Sequence, residues 1–160
     1  MCRFRRRGSC LPKGISLERV LIGKIVVAGS AKGPALVSKD ALSFWGGICP
    51  QTGEIIDRRH EQAGAIITGK VFVFPQGKGS STSSATLTEM IRNGTAPSAI
   101  INLKVDPILA LGSIVADELY HKSIPVVVLT EEDFYSIKQN DYLMLESDGK
   151  IRIGKRPSTV

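Results

Sequence analysis

Three short runs of almost unbroken apolar residues constrain this chain more than any other feature. They are Val71-Phe72-Val73-Phe74, Ala99-Ile100-Ile101-Asn102-Leu103 and Pro125-Val126-Val127-Val128-Leu129. A strand with one wet face alternates polar and apolar residues, whereas a continuous run is expected of a strand covered on both faces. Between the first two runs, Leu87, Met90 and Ile91 recur at helical spacing. Asn93-Gly94 stops that pattern, and Pro97 lies just beyond. Between the second and third, Asp106-Pro107 has the chemistry of an N-cap followed by the first helical position, predicting a helix through Ile114 to Ala116. Strand, helix, strand, helix, strand with short connections requires a parallel sheet with right-handed crossovers.

The flanking segments complete a layered α/β reading. Thr130 with Asp133 resembles a capping box that opens a short helix. Residues 141–146 and 150–153 read as a hairpin around Ser147-Asp148-Gly149. In the first half, residues 20–29 read as one bent strand, Ala35–Ser38 as a short strand and Glu54–Asp57 as a return strand after the Pro50–Gly53 turn. No long helical period occurs there, so this half is expected to supply a small, mostly antiparallel layer. The expected organisation is a basic tail over 1–15, one domain over 16–155 and a short tail over 156–160.

Charge and cysteine content remove several function classes. The net charge is +6, but Arg3, Arg5, Arg6, Arg7 and Lys13 supply five of the positive charges before residue 14, and the rest of the chain is nearly neutral. A basic arm ahead of a neutral body is not the basic face that binds phosphate backbones, so no nucleic-acid partner is expected. No apolar run approaches the length of a membrane span, and the basic N-terminus is not followed by the apolar stretch of a secretory signal. No membrane association is expected, and the localisation expected is cytoplasmic. Of three cysteines, Cys2 and Cys10 lie in the tail and Cys49 stands alone without zinc-ligand spacing. No disulfide scaffold and no metal site are expected from these residues, and they are too few to hold an iron–sulfur cluster.

The one turn with chemical promise follows the first apolar run: Gly77-Lys78-Gly79-Ser80-Ser81. In an open α/β sheet, ligands sit beyond the carboxyl ends of the strands. The glycines allow a tight turn and close backbone approach, and the serines lead into a helix whose free N–H groups favour an anion. A carboxylate, a phosphate or a developing oxyanion would fit. Taken alone, the turn is better described as glycines for geometry, a serine cap and a solvated lysine. Neither the Walker spacing nor G-x-G-x-x-G is present, since Thr82 stands where the last glycine would be.

A wider set of residues gives the turn a context. Ser43-Phe44-Trp45-Gly46-Gly47 comes first, followed by Gly53-Glu54-Ile55-Ile56-Asp57 with His60, Gly69-Lys70, and Val73-Phe74-Pro75 leading into Gly77–Ser81. Ala99–Asn102 and Asp106-Pro107-Ile108 complete the set. Together they resemble the small subunit of the aconitase X family over about residues 18–154, on its archaeal phosphomevalonate dehydratase side. The resemblance implies a swivelling β/β/α three-layer domain, with a parallel central sheet and a mostly antiparallel second layer. It implies a heterodimer with a large aconitase-like subunit that holds a 4Fe-4S cluster, whose exposed iron would act on the leaving hydroxyl. The implied reaction is a hydro-lyase step taking (R)-5-phosphomevalonate, a small phosphorylated hydroxy acid, to trans-anhydromevalonate 5-phosphate in an archaeal mevalonate (isoprenoid) pathway. Another dehydratase of the family, such as a hydroxyproline dehydratase, is the alternative. A stand-alone phosphate-binding or regulatory module is the alternative of a different class.

The wider aconitase family places its base on the first serine of a Gly-Ser-Ser-Arg turn, so the resemblance implies Ser80 as the catalytic base. Lys78, Gly79, Ser81 and Thr82 would then be substrate contacts. Thr82 stands where that turn has an arginine for the substrate carboxylate, so the anion contact must come from elsewhere: Lys78, the helix amides or the partner. Lesser candidates are His60 at the site or the interface, Asp57 as a supporting carboxylate, and Asp106 and Asn102 at strand or helix ends. Trp45 with Phe44 is expected in the core or interface, and His121 in a structural role.

Overall fold

A computed structural model describes residues 13–155. The expected tails lie outside it, except for residues 13–15. In chain order the strands are β1 (Ser16–Ile22), β2 (Lys24–Val27), β3 (Ala31–Val37), β4 (Val71–Val73), β5 (Ala99–Asn102), β6 (Val126–Val128), β7 (Tyr142–Leu145) and β8 (Lys150–Lys155). The helices are α2 (Ser83–Asn93), α3 (Pro107–Tyr120) and α4 (Glu131–Ser136), preceded by a kinked single turn, α1 (Phe44–Gly47).

The strands form one curled sheet in the order β1-β8-β7-β3-β4-β5-β6-β2. Its centre, β3-β4-β5-β6, is parallel, as the three apolar runs require. The antiparallel layer is β1, β8, β7 and the first half of β3. Two segments serve both layers. Residues 31–34 of β3 pair with β7 and residues 35–37 with β4. Likewise β1 pairs with β8 and β2 with β6, with the change of partner at Gly23, whose N–H donates to the Gly149 carbonyl at 2.9 Å. Strands that cross between layers in this way make the corners of a folded-over sheet.

Strand residues alternate between two cores. Val71, Val73, Ala99, Ile101 and Val127 face the space between the layers and meet Leu143, Leu145, Ile151 and Ile153. Phe72, Phe74, Ile100 and Val126 face outward and are covered by Leu87, Met90 and Ile91 of α2 and Leu109 of α3. Phe72 and Phe74 stack at 4.3 Å between centroids, and Phe44 joins Phe74 at 6.1 Å. Each buried ring contributes roughly 1.5–3 kcal/mol. The outer layer is therefore α2 and α3, while Phe134 of α4 and the adjoining Ile137 close one end of the inter-strand core.

Three details differ from the sequence expectation. The antiparallel layer is built mainly from the two ends of the chain, because β1 finds its partner at β8. Residues 54–57 form only isolated bridges, Ile48 to Ile55 and Glu54 to Ile66, so no return strand exists there. Helix α3 continues past Ala116 to Tyr120 and ends at His121 in the left-handed region. No helix among the described residues is long and apolar enough to cross a membrane.

Candidate functional site

The turn after β4 is held from three directions. The Pro75 carbonyl accepts the amides of Leu103 and Lys104 at 3.0 and 3.2 Å, tying this turn to the one after β5. The Lys78 amide donates to the Leu42 carbonyl at 3.1 Å. The third tie is a carboxylate: Asp106 Oδ2 accepts the Gly77 N–H at 2.8 Å, while its Oδ1 accepts the amides of Ile108 and Leu109 at 3.0 and 3.2 Å. Asp106 thus caps α3, as expected, and also anchors the turn. A Cβ on residue 77 would lie 2.1 Å from Asp106 Oδ2, so the contact requires glycine.

Beyond it the backbone reverses through Gly79 at φ +85°, a region costly for side-chain-bearing residues. The sequence suggested that the serines themselves open the helix, but α2 begins at Ser83, after a tighter turn. The carbonyls of Ser80 and Ser81 accept the amides of Ser83 and Ser84 at 3.1 and 3.3 Å, and Ser80 Oγ accepts the Thr82 N–H at 3.1 Å. Ser80 therefore does the work of a cap one step ahead of the regular helix. Among the described residues no protein acceptor meets the amides of Gly79, Ser80 and Ser81. Ser83, buried, uses its hydroxyl to accept the Trp45 amide at 3.2 Å, which seats α1 against α2.

A cavity of about 230 Å³ opens here, between Lys78, Gly79 and Ser80 on one side and Val105, Asp106 and Ile108 on the other. Ser80 is half-buried; Lys78, Gly79, Ser81 and Thr82 are exposed, and the latter two are not in the lining. A second cavity, of about 340 Å³, lies on the other side of Lys78, which lines both. Its remaining lining is Asp40, Ala41, Asp57, Arg59 and His60. His60 is buried, with Nδ1 accepting the Gln62 N–H at 3.1 Å. The ring proton is thereby placed on Nε2, which donates to Ser38 Oγ at 3.1 Å. Asp57 Oδ1 accepts the Arg59 N–H at 3.0 Å, and Asp40 Oδ2 the Glu61 N–H at 3.2 Å.

Of the remaining candidates, Asn102 is fully buried and its Nδ2 donates to the Phe74 carbonyl at 2.9 Å, clamping the ends of β4 and β5; its Oδ1 has no partner. Phe44 is in the core and Trp45 is 60% exposed beside the turn. His121 is exposed at the end of α3. Arg59 and Asp40 at the second cavity, and Ser38 behind it, were not singled out from sequence; the only signal was the charged stretch Asp57-Arg58-Arg59-His60. Among the described residues no three His, Cys, Asp or Glu side chains converge as metal ligands, and Cys49 stands alone. These donors do not fit an iron–sulfur cluster.

The chain is similar to several known proteins. It is 40% identical over 137 residues to the phosphomevalonate dehydratase small subunit of Methanosarcina acetivorans, covering 84% of this chain and 91% of that protein. It is 45% identical over 112 residues to cis-3-hydroxy-L-proline dehydratase of Pseudomonas aeruginosa, covering 70% of this chain but only 19% of that longer protein. The crystal structure of holo aconitase X from Thermococcus kodakaraensis superposes with a TM-score of 0.76 at 34% identity, covering 85% of this chain and 98% of that one. Residues 20–153 match the family described as the aconitase X swivel domain. This chain belongs to that family.

Proposed function

We propose that this chain is the small subunit of a hydro-lyase that dehydrates (R)-5-phosphomevalonate to trans-anhydromevalonate 5-phosphate, with Ser80 as general base. Residues 16–155 would be the single functional domain, working in the cytoplasm in a mevalonate pathway of archaeal type. The observation that carries the reading is the Ser80 turn: a half-buried serine hydroxyl that already accepts a backbone N–H, at the mouth of a helix, in a cavity. The reaction breaks a C–H bond beside the substrate carboxylate, forms a C=C bond and releases hydroxide. A serine acts as base only if its alkoxide is stabilised, and the Thr82 amide, the start of α2 and the Lys78 ammonium are suited to do that. The unspent amides of Gly79, Ser80 and Ser81 are donors for the carboxylate, and would replace the arginine that Thr82 displaces.

The residues described do not fit a cluster, so the 4Fe-4S cofactor is assigned to a large partner subunit. Relatives named as separate small subunits support a heterodimer. The 45% identity to a hydroxyproline dehydratase supports a second reading, the same domain serving that reaction. Assaying the chain, reconstituted with its large subunit, on phosphomevalonate and on cis-3-hydroxy-L-proline decides between them. Loss of the product alkene with both substrates, or activity of the isolated chain without a partner, would overturn the heterodimeric dehydratase.

A further inference from the structure

We infer that the cavity formed by Arg59, His60 and Lys78 seats the phosphate of the substrate, with Arg59 its principal ligand; this rests on the dehydratase reading above. The chemistry orients the molecule. The proton to be removed is on the carbon beside the carboxylate, so the carboxylate end lies at Ser80, and the phosphate, at the other end of the carbon chain, lies outside that cavity. The adjoining space is the one reached past Lys78, the residue that lines both cavities.

What that space offers is uncommitted donors. Neither Arg59 nor Lys78 forms an ion pair or a side-chain hydrogen bond among the described residues. Asp57 and Asp40 face the same cavity, yet each turns an oxygen to an amide of the loop that carries Arg59, and neither lies within ion-pair distance of either cation. The loop itself is fixed. His60 is pinned to Ser38, Gln62 Nε2 donates to the Val37 carbonyl at 2.7 Å, and the His60 and Ala63 amides close successive turns on Asp57 and His60 at 3.1 and 3.0 Å. The loop backbone is held in this way, and the exposed Arg59 side chain it carries, free of any ion pair among the described residues, has a planar fork matched to phosphate.

The test uses the reconstituted pair with Arg59→Gln and Arg59→Lys, and compares phosphomevalonate with unphosphorylated mevalonate. Arg59→Gln is expected to raise KM for the phosphorylated substrate by about 30-fold or more, the scale of losing one partner of a hydrogen-bonded charge pair, with kcat little changed. Arg59→Lys should recover part of that loss, and the penalty with mevalonate should be at least about ten-fold smaller. An unchanged KM, or equal losses with both substrates, overturns the phosphate site while leaving the dehydratase standing. If the wild-type pair does not turn over phosphomevalonate, the dehydratase reading fails and inorganic phosphate decides the site separately. In an NMR titration of the full chain, shifts at the Arg59 and Lys78 amides that Arg59→Gln abolishes uphold it, and their absence overturns it.

Discussion

The two cavities that meet at Lys78 are built by opposite means. The Ser80 cavity stands at the junction of regular elements: a buried strand, a glycine turn and the first turns of two helices. Its groups are mostly backbone amides, set by the path of the chain. The Arg59 cavity is walled by the connection between β3 and β4, which holds little regular structure, and its groups are side chains. The contrast shows two routes to a fixed site. Helix starts and strand ends come with their orientation determined, whereas an irregular loop must be tied down contact by contact, here by Ser38, Gln62 and Asp57.

The largest expected effect sharpens the first half of that contrast. Ser80→Ala in the reconstituted enzyme should lower kcat by about 10²–10⁴, the usual contribution of a general base, with the pair still co-purifying. Near-normal kcat would remove Ser80 from the role. Next is Gly77→Ala, whose methyl would press on the Asp106 carboxylate. It should cost about 1–3 kcal/mol, read as a fall in the thermal midpoint, and activity should drop with it. A neutral result would mean that the turn is not held by backbone geometry. The smallest effect belongs to the second cavity. Ser38→Ala removes one tie of the Arg59 loop and should cost about 1 kcal/mol in the thermal midpoint. If the loop is tied as described, KM for the phosphorylated substrate rises while kcat holds; if both stay at wild-type values, the loop is rigid without His60.

Much of the first cavity was legible in the sequence, because its determinants are local. An apolar run ending in Gly-Lys-Gly-Ser-Ser, with helical spacing after it, specifies a strand, a turn and a helix without reference to the rest of the chain. What was not legible was the bond from Gly77 to Asp106, 29 residues away, and the extra turn that delays α2 to Ser83. Asp106 has a sufficient local explanation as a cap, and its place on the same crevice as Ser80 made it a candidate for the site without pointing to a bond with Gly77. For the other cavity the same reasoning reaches only part of the lining: His60, Asp57 and Lys78 were candidates, whereas Arg59 and Asp40 were not. Arg59 and Asp40 lie in a segment whose conformation depends on scattered tertiary contacts, so no periodicity or spacing could place them together. The antiparallel layer was misassigned to the first half for a related reason: the pairing of Ser16 with Lys155 joins residues from opposite ends of the chain, and no local pattern encodes it.

That pairing has a consequence for how the domain travels through evolution. Residues opposite each other in an antiparallel ladder are only about 4.5–5.5 Å apart, so the folded unit is entered and left at nearly the same point. A unit of that kind can be spliced into a longer polypeptide, or released from one, without pulling its layers apart. The relatives include both arrangements, one in which the matching region is 19% of a long dehydratase and one in which it is 91% of a separate chain. The ladder between the first and last described strands lets the same fold serve as an internal module or as a detachable subunit.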